Sequence, residues 1–254
     1  MRKIIPCLLF AGASVAALLF LQFVPPAQAG SVPVVGSVAR PGHPVVIELF
    51  TSQGCSSCPP ADRLASRLAK DRSLLVITRP VTYWDRLGWT DTLAREANTR
   101  LQRAYAAKNR EGAGVYTPQI VVNGGGATVG SREGDIRSLV RRADRSGPRI
   151  LVSGAAGGGM TVTIDGISDH MASVSLVALS SSETVRIGRG ENGGRTLHFT
   201  NVVRDERVLG SWRGRRERFA VPAGDLKVRG ADRYAIVVQQ PGAGRIVAAK
   251  MLDI

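Results

Sequence analysis

Two cysteines separated by two serines, Cys55-Ser56-Ser57-Cys58, are the residues of this 254-residue sequence whose types and spacing best suit chemistry. A cysteine that loses its proton becomes a thiolate, which is the form that attacks a disulfide sulfur. The spacing lets the second thiol attack the mixed disulfide that the first one forms. We therefore predict Cys55 as the nucleophile and Cys58 as the resolving thiol of a redox-active pair.

Two other interpretations of the pair require different surroundings. A structural zinc ion normally takes four Cys or His ligands, and the three histidines, His43, His170 and His198, are not paired at ligand spacing. We therefore predict no metal site. An inert structural disulfide stays open as an alternative, although a bridge that closes so short a loop constrains the unfolded chain very little.

The cysteines lie between a predicted strand and a predicted helix. Residues 45–50 form a continuous apolar run, which is typical of a strand buried on both faces. Pro59 suits the first turn of a helix. Because the amides and the dipole at a helix N-terminus favour a thiolate, this position predicts a reactive cysteine.

The following segments predict a β-α-β-α-β-β-α order for the first half of the chain. Residues 74–78 form a second apolar strand, and residues 91–110 carry apolar side chains at helical spacing. Asn123-Gly124 between two strand-like runs is a strong hairpin signal. Ser131 is a candidate N-cap for a last helix.

The pattern changes after Pro148. Short segments with alternating apolar residues, separated by polar or glycine-rich turns, predict about seven strands in a sandwich-like or barrel-like arrangement. We therefore expect an α/β domain over residues 45–148 and a smaller all-β domain over residues 149–254. Residues 30–44, rich in Gly, Pro, Ser and Val, form a lead-in segment.

The N-terminal 29 residues have the composition of a targeting segment. Arg2 and Lys3 precede an uncharged apolar run, and Ala27-Gln28-Ala29 offers small residues for a signal peptidase. We predict a signal peptide over residues 1–29, cleavage after Ala29, and a periplasmic or secreted protein. The apolar run is also long enough to span a bilayer, so an uncleaved anchor is the alternative.

Longer motifs in both halves resemble one known family. These motifs are residues 48–62, with the two cysteines, Tyr83-Trp84-Asp85, residues 115–119, residues 187–192 and residues 201–204. With them the sequence is similar to the domain of unknown function 1223 (DUF1223) family, which is assigned to the thioredoxin-like superfamily. The resemblance implies that residues 45–148 form a thioredoxin-like domain.

The thioredoxin-like resemblance assigns roles to further residues. In such folds a cis-proline lies directly before the third strand and shapes the docking site, which implies a cis Thr117-Pro118 bond and substrate contacts by both residues. Thioredoxins also keep a buried acid six residues before the first cysteine. Glu48, seven residues before Cys55, is a candidate for proton transfer, and a structurally paired acid is its alternative.

Aromatic and glycine-rich motifs are less specific. Tyr83 and Trp84 either line a substrate groove or close the core beneath their loop. Residues 188–193 match the GxGxxG nucleotide-binding pattern, but they lie between two predicted strands, so we interpret them as a glycine hairpin. In the family pattern, a His and an Asp stand where this chain has Pro80 and Thr82.

The leading prediction is an exported thiol–disulfide oxidoreductase that needs no metal, nucleotide or flavin. Its partner would be a protein or small-molecule thiol or disulfide. The alternative is a non-catalytic binding or assembly module of the cell envelope with a static disulfide. The net charge of +14 is spread singly along the chain, so we expect no nucleic-acid partner, and membrane contact only through an uncleaved N-terminal segment.

Overall fold

The computed structural model describes residues 42–252, which form a mixed α/β fold with an eight-stranded and a three-stranded sheet. The predicted signal peptide and almost all of the lead-in segment lie outside the described residues. No helix within residues 42–252 is long and apolar enough to cross a membrane. The elements in chain order are β1 (Val45–Thr51), α1 (Pro59–Leu68), β2 (Leu74–Pro80), α2 (Glu96–Ala106), β3 (Gln119–Val122), β4 (Gly126–Val129), α3 (Glu133–Arg142), β5 (Arg149–Gly154), β6 (Met160–Asp165), β7 (Ala172–Arg186), β8 (Thr196–Trp212), β9 (Glu217–Val221), β10 (Arg233–Gln239) and β11 (Ile246–Leu252).

Strand β1 is buried on both faces, as its unbroken apolar sequence predicts. It pairs in parallel with β2 and antiparallel with β3. Val45, Ile47 and Leu49 pack with side chains of α1 and α3 on one face, whereas Val46 and Phe50 belong to other apolar clusters. The strand ends directly before the loop that carries the cysteines, so the core fixes where that loop begins.

The predicted hairpin is confirmed by the antiparallel pair β3 and β4. Asn123 and Gly124 have φ angles of 45° and 59°, in the left-handed region that Asn and Gly tolerate best. The side-chain oxygen of Asn123 also accepts a hydrogen bond from the Val46 amide at 2.7 Å. The turn is therefore tied to β1 as well as closing its own hairpin.

The ends of two helices differ from the prediction. Ser131 is not an N-cap, because α3 begins at Glu133 and follows Arg132; acidic side chains in its first turn interact favourably with the helix dipole instead. Helix α2 begins at Glu96, five residues later than predicted. Asp91 holds the preceding segment in a turn, since its carboxylate accepts hydrogen bonds from the Leu93 amide at 2.9 Å and the Gln53 amide at 2.7 Å.

Strands from both sides of the predicted boundary at residue 148 join the large sheet, whose order is β11-β10-β7-β8-β2-β1-β3-β4. The junction is the parallel pairing of β2 with β8 at Thr78 and Val202. The Thr78 hydroxyl donates to the Thr200 carbonyl at 2.6 Å, and the Asn201 side chain donates to the Val76 carbonyl at 3.0 Å. The division into two domains stays a prediction, but hydrogen bonds connect the two halves into one sheet.

Strands β7 and β8 form a hairpin much longer than the short strands predicted there. The sequence predicts only short strands after Pro148, yet the polar segment over residues 180–183 continues the ladder with β8 instead of ending β7. Beyond the sheet junction, the hairpin packs beside α1, where the hydroxyls of Ser66 and Thr200 lie 2.8 Å apart. This extension carries the β7–β8 loop, residues 187–195, to the cysteines.

The smaller sheet covers part of the larger one. It consists of β5, β6 and β9, and its apolar side chains pack with those of β7, β10 and β11 in one cluster. With β5 to β11, the described chain has seven strands after Pro148, in agreement with the predicted number.

Candidate functional site

Cys55 and Cys58 form a disulfide at the N-terminus of α1, with their Cα atoms 5.4 Å apart. Cys58 is the N-cap of the helix, and Pro59 occupies its first position as predicted. Both cysteines are 0% exposed, whereas Ser56 and Ser57 between them are exposed. The Ser57 hydroxyl lies 3.3 Å from the sulfur of Cys55. The bridge therefore lies just beneath a polar surface.

The Thr117-Pro118 peptide bond is cis, in agreement with the sequence-based expectation. Since Gln119 pairs with Phe50, Pro118 comes beside the end of β1 and the start of the cysteine loop. Gly130 lies between Pro118 and α1, because an added Cβ at this position would lie 3.1 Å from the Cβ atoms of both Pro118 and Ala61. The proline is thus packed close to the helix that begins at the disulfide.

Trp84 connects the proline segment to the cysteine loop. Its indole N–H donates a hydrogen bond to the Thr117 hydroxyl at 2.8 Å. On the other side, its Cβ would lie 3.4 Å from a Cβ built on Gly54. Tyr83 is half-buried against the apolar cluster that contains Phe50 and Tyr105. Of the predicted binding residues, Trp84, Thr117 and Pro118 therefore lie together beside the loop.

Glu48 belongs to a buried ion cluster. One carboxylate oxygen accepts a hydrogen bond from Arg79 at 2.6 Å, and the other accepts one from the Tyr105 hydroxyl at 2.5 Å. Arg79 also donates to Glu206 at 2.8 Å. Burial lowers the pKa of Arg79, but the charges of Glu206 and Glu48 outweigh burial, so that the pKa is raised overall. Burial and the neighbouring Glu48 also raise the pKa of Tyr105. This geometry is that of the structurally paired acid.

A second buried carboxyl group, Asp62, lies one helical turn after Cys58. Its backbone N–H donates to the Cys58 carbonyl at 3.1 Å, and the Thr51 hydroxyl donates to Oδ1 at 2.8 Å. Oδ2 is buried and has no hydrogen-bond partner among residues 42–252. Burial raises the pKa of Asp62 to about 8, although the bond from Thr51 lowers it. Because residues four apart share a helix face, the spacing from Cys58 places this acid on the side of the cysteine, but it does not predict that the acid is buried.

Asn192 of the β7–β8 loop is bonded directly to the backbone of the cysteine segment. Its side-chain amide donates to the carbonyl oxygens of Gln53 at 3.0 Å and Cys55 at 2.9 Å. Its own oxygen accepts a hydrogen bond from Arg195 at 3.0 Å, and the residue is fully buried. The neighbouring Glu191 accepts a hydrogen bond from the Ser56 amide at 3.0 Å. The loop therefore forms one wall of the disulfide site.

Two glycines allow the loop to approach Trp89. A Cβ on Gly188 would lie 3.0 Å from the Trp89 ring, and Gly190, with φ of 78°, lies against the Trp89 Cβ. The indole of Trp89 in turn donates to the Gln53 side chain at 2.8 Å. The glycine hairpin prediction is thus confirmed, but its contact with the cysteines was not foreseen; the family motif over residues 187–192 was the available signal.

The sequence matches the family described as protein of unknown function (DUF1223) over residues 46–239. The chain belongs to the DUF1223 family. The match includes both cysteines, Asp62, Pro118, and the β7–β8 loop with Asn192. No protein in a search of curated sequences matches this one.

Two solved structures are similar to this DUF1223 protein. The crystal structure of protein AGR_C_4864 from Agrobacterium tumefaciens gives a TM-score of 0.70 at 28% identity, covering 82% of this chain and 93% of that chain. HBP35 of Porphyromonas gingivalis gives a TM-score of 0.52 at 14% identity, covering 84% of this chain and 76% of that chain. The second likeness concerns the fold alone.

A separate cleft lies away from the disulfide of this DUF1223 protein. Its volume is about 1620 Å³, and its walls include Pro44 and Asn123, at the end of the sheet opposite the cysteine loop. Arginines such as Arg142, Arg145 and Arg215 outnumber the acids that line it. Within residues 42–252 no three His, Cys, Asp or Glu side chains are grouped as a metal site requires. The disulfide is therefore the feature with evident chemistry.

Proposed function

We propose that this DUF1223 protein is an exported thiol–disulfide oxidoreductase in which Cys55 is the nucleophile and Cys58 the resolving thiol. The observation that carries the proposal is the Cys55–Cys58 disulfide at the N-terminus of α1, next to the cis Thr117-Pro118 bond. Helix N-termini stabilise a thiolate. The β-α-β-α-β-β-α order of residues 45–142 supports a thioredoxin-like fold for this half. Export rests on the composition of residues 1–29.

The exchange transfers two electrons from the dithiol of the protein to the disulfide of the substrate. The Cys55 thiolate attacks one sulfur of a substrate disulfide, a mixed disulfide forms, and the other substrate sulfur leaves as a thiolate that takes a proton from water. Cys58 then loses its proton and attacks the sulfur of Cys55. The bond between Cys55 and the substrate breaks, the second substrate thiol is released, and the Cys55–Cys58 disulfide is restored. Run in reverse, the same steps oxidise a substrate dithiol.

We assign Asp62 as the group that accepts the proton of Cys58. Its pKa of about 8 is close to that of a free cysteine thiol, about 8.5, so a proton can pass between them at little cost near neutral pH. The acceptor is the unpartnered Oδ2 in the ionised fraction of Asp62, which grows as the pH approaches the pKa of about 8. Glu48 is less suited to this role because Arg79 and Tyr105 occupy both of its oxygens.

Substrate docking is assigned to Thr117, Pro118 and Trp84. Their proximity to the cysteine loop supports a groove in which a polypeptide or small disulfide reaches Cys55. Tyr83 contributes to the apolar support beneath this groove.

A binding or assembly module with a static disulfide is the second candidate function. Complete burial of both cysteines favours it, because a sulfur without access to solvent exchanges slowly. The cleft lined by arginines would then be the surface that binds a partner. In this case the disulfide would only hold the loop before α1.

Trapping of a mixed disulfide distinguishes the two candidates. A Cys58→Ala variant leaves Cys55 without its resolving thiol, so we expect it to accumulate a covalent adduct with oxidised glutathione, which mass spectrometry detects. The Cys55→Ala variant is the matched control and should accumulate far less adduct. Equal absence of adduct in both variants, together with no turnover of glutathione disulfide by the unmodified protein, would exclude the oxidoreductase.

A further inference from the structure

We propose that the β7–β8 loop is the gate that controls access of a partner thiol to Cys55, and that Asn192 is the positioning residue that holds it closed. This inference rests on the proposed function, and it assigns a role to a segment 137 residues away from Cys55 in the sequence.

The need for a gate follows from burial. Exchange begins when a thiolate contacts a disulfide sulfur. Both cysteines are 0% exposed, so the closed structure offers no approach to either sulfur. One wall of the site must therefore move before the disulfide reacts.

The β7–β8 loop is the wall that can move with the smallest loss of packing. Residues 188–191 and 193–195 are exposed, and four of these are glycines. Ile187 anchors the start of the loop in an apolar cluster, whereas Asn192 is the buried polar residue that connects the loop to the cysteine segment. On the opposite side, Trp84 packs against the core cluster around Phe50. Segments with few buried apolar contacts open at the lowest free energy. Opening the loop breaks the two bonds donated by Asn192 and the bond accepted by Glu191.

Charge links the position of the loop to the redox state. Glu191 holds a carboxylate against the amide of Ser56, the residue next to Cys55, and the bond from Ser56 lowers the pKa of Glu191. The disulfide is neutral, so this contact is favourable when the pair is oxidised. A thiolate on Cys55 would repel the carboxylate, so reduction weakens the closed loop. The gate is thus expected to close over the disulfide and to loosen over the dithiol.

Asn192→Asp tests the gate with little change in side-chain size. The carboxylate can still accept the bond from Arg195, but it cannot donate to the carbonyls of Gln53 and Cys55. We expect dithiothreitol to reduce the disulfide of this variant about thirtyfold faster, which is equivalent to about 2 kcal/mol, the combined contribution of two neutral hydrogen bonds. Arg189→Gln is the control, because Arg189 is exposed in the same loop, and its rate should equal that of the unmodified protein.

Glu191→Gln adds a measurement that a purely structural role would not change. Removing this carboxylate should shift the pH profile of Cys55 alkylation in the reduced protein toward lower pH. Unchanged reduction rates in Asn192→Asp and an unchanged profile in Glu191→Gln would overturn the gate. Faster reduction of Asn192→Asp in a protein that turns over no disulfide would instead keep the gate and reject the oxidoreductase.

Discussion

The hydroxyl of Thr51, at the end of β1, donates a 2.8 Å hydrogen bond to Asp62 in the first helix. It satisfies one oxygen of a carboxyl group that is 3% exposed and leaves the other without a partner among the described residues. Because burial disfavours the charged form, the pKa of Asp62 rises to about 8. The acid one turn after Cys58 is therefore protonated at neutral pH, and it loses its proton at a pH slightly above neutral.

Replacing Asp62 with Asn should flatten the dependence of stability on pH. Since the pKa is about 8 in the folded protein and about 3.9 in an unfolded chain, the folded state holds a proton that the unfolded state has lost between these values. The free energy of unfolding therefore falls as pH rises, by up to about 1.4 kcal/mol per pH unit from this group. Urea unfolding of the oxidised protein at evenly spaced pH values between about 4 and 8 measures how the free energy of unfolding changes with pH.

The exposed Asp71 supplies the control for this experiment. A hydrogen bond from Ser73 lowers its pKa, so Asp71→Asn should leave the falling slope in place. An Asp62→Asn protein with the same slope as the unmodified one would show that Asp62 is charged in the folded state.

Replacing Glu48 with Gln should lower stability without preventing thiol exchange. The substitution removes the negative charge that faces the buried guanidinium of Arg79 and leaves Glu206 as its acidic partner. We expect a loss of about 3 kcal/mol, the low end for a broken buried pair, because Glu206 still faces the cation. Chemical denaturation measures this loss, and turnover of glutathione disulfide measures exchange.

Glu183→Gln is the matched control, because its pair with Arg204 is partly exposed and should be worth at most about 1 kcal/mol. If Glu48→Gln abolished turnover while the protein remained folded, this result would show that Glu48, and not Asp62, transfers the proton.

Much of the site was predictable because it is built from neighbours in sequence. The apolar run of β1, the two cysteines and Pro59 specify a strand, a loop and a helix start in consecutive residues. The Asn123-Gly124 turn identified its own hairpin in the same way. In each case the local pattern and the tertiary structure agree.

The remainder depends on contacts between distant residues. Asn192 reaches Cys55 across 137 positions, and a glycine-rich turn between strands contains no information about its partner. Likewise, Asp62 resembles an ordinary first-turn acid until Thr51 and the core enclose it. The polar residues 180–183 do not end β7, because β8 supplies a continuous hydrogen-bonding partner.

Trp84→Phe should weaken substrate docking more than it changes the reactivity of the cysteines. The variant keeps an aromatic ring but loses the hydrogen bond to the Thr117 hydroxyl. For a protein disulfide such as insulin we expect KM to rise about fivefold, as the loss of about 1 kcal/mol implies. Reduction of the Cys55–Cys58 disulfide by dithiothreitol should keep its rate.

Thr117→Val removes the other partner of the same bond and should raise KM to a similar extent. Because the two residues act through one contact, the KM of the double variant should be about the same as that of either single variant. Fully additive effects would show that Trp84 and Thr117 act independently.

A redox titration of the protein, with alkylation and mass analysis of Cys55 and Cys58 at each potential, tests the oxidoreductase most directly. The account predicts a midpoint between about −120 and −270 mV, the range of proteins that catalyse disulfide exchange. A midpoint below about −300 mV is typical of structural disulfides. That result would contradict the proposed function and favour the binding module with a static bridge.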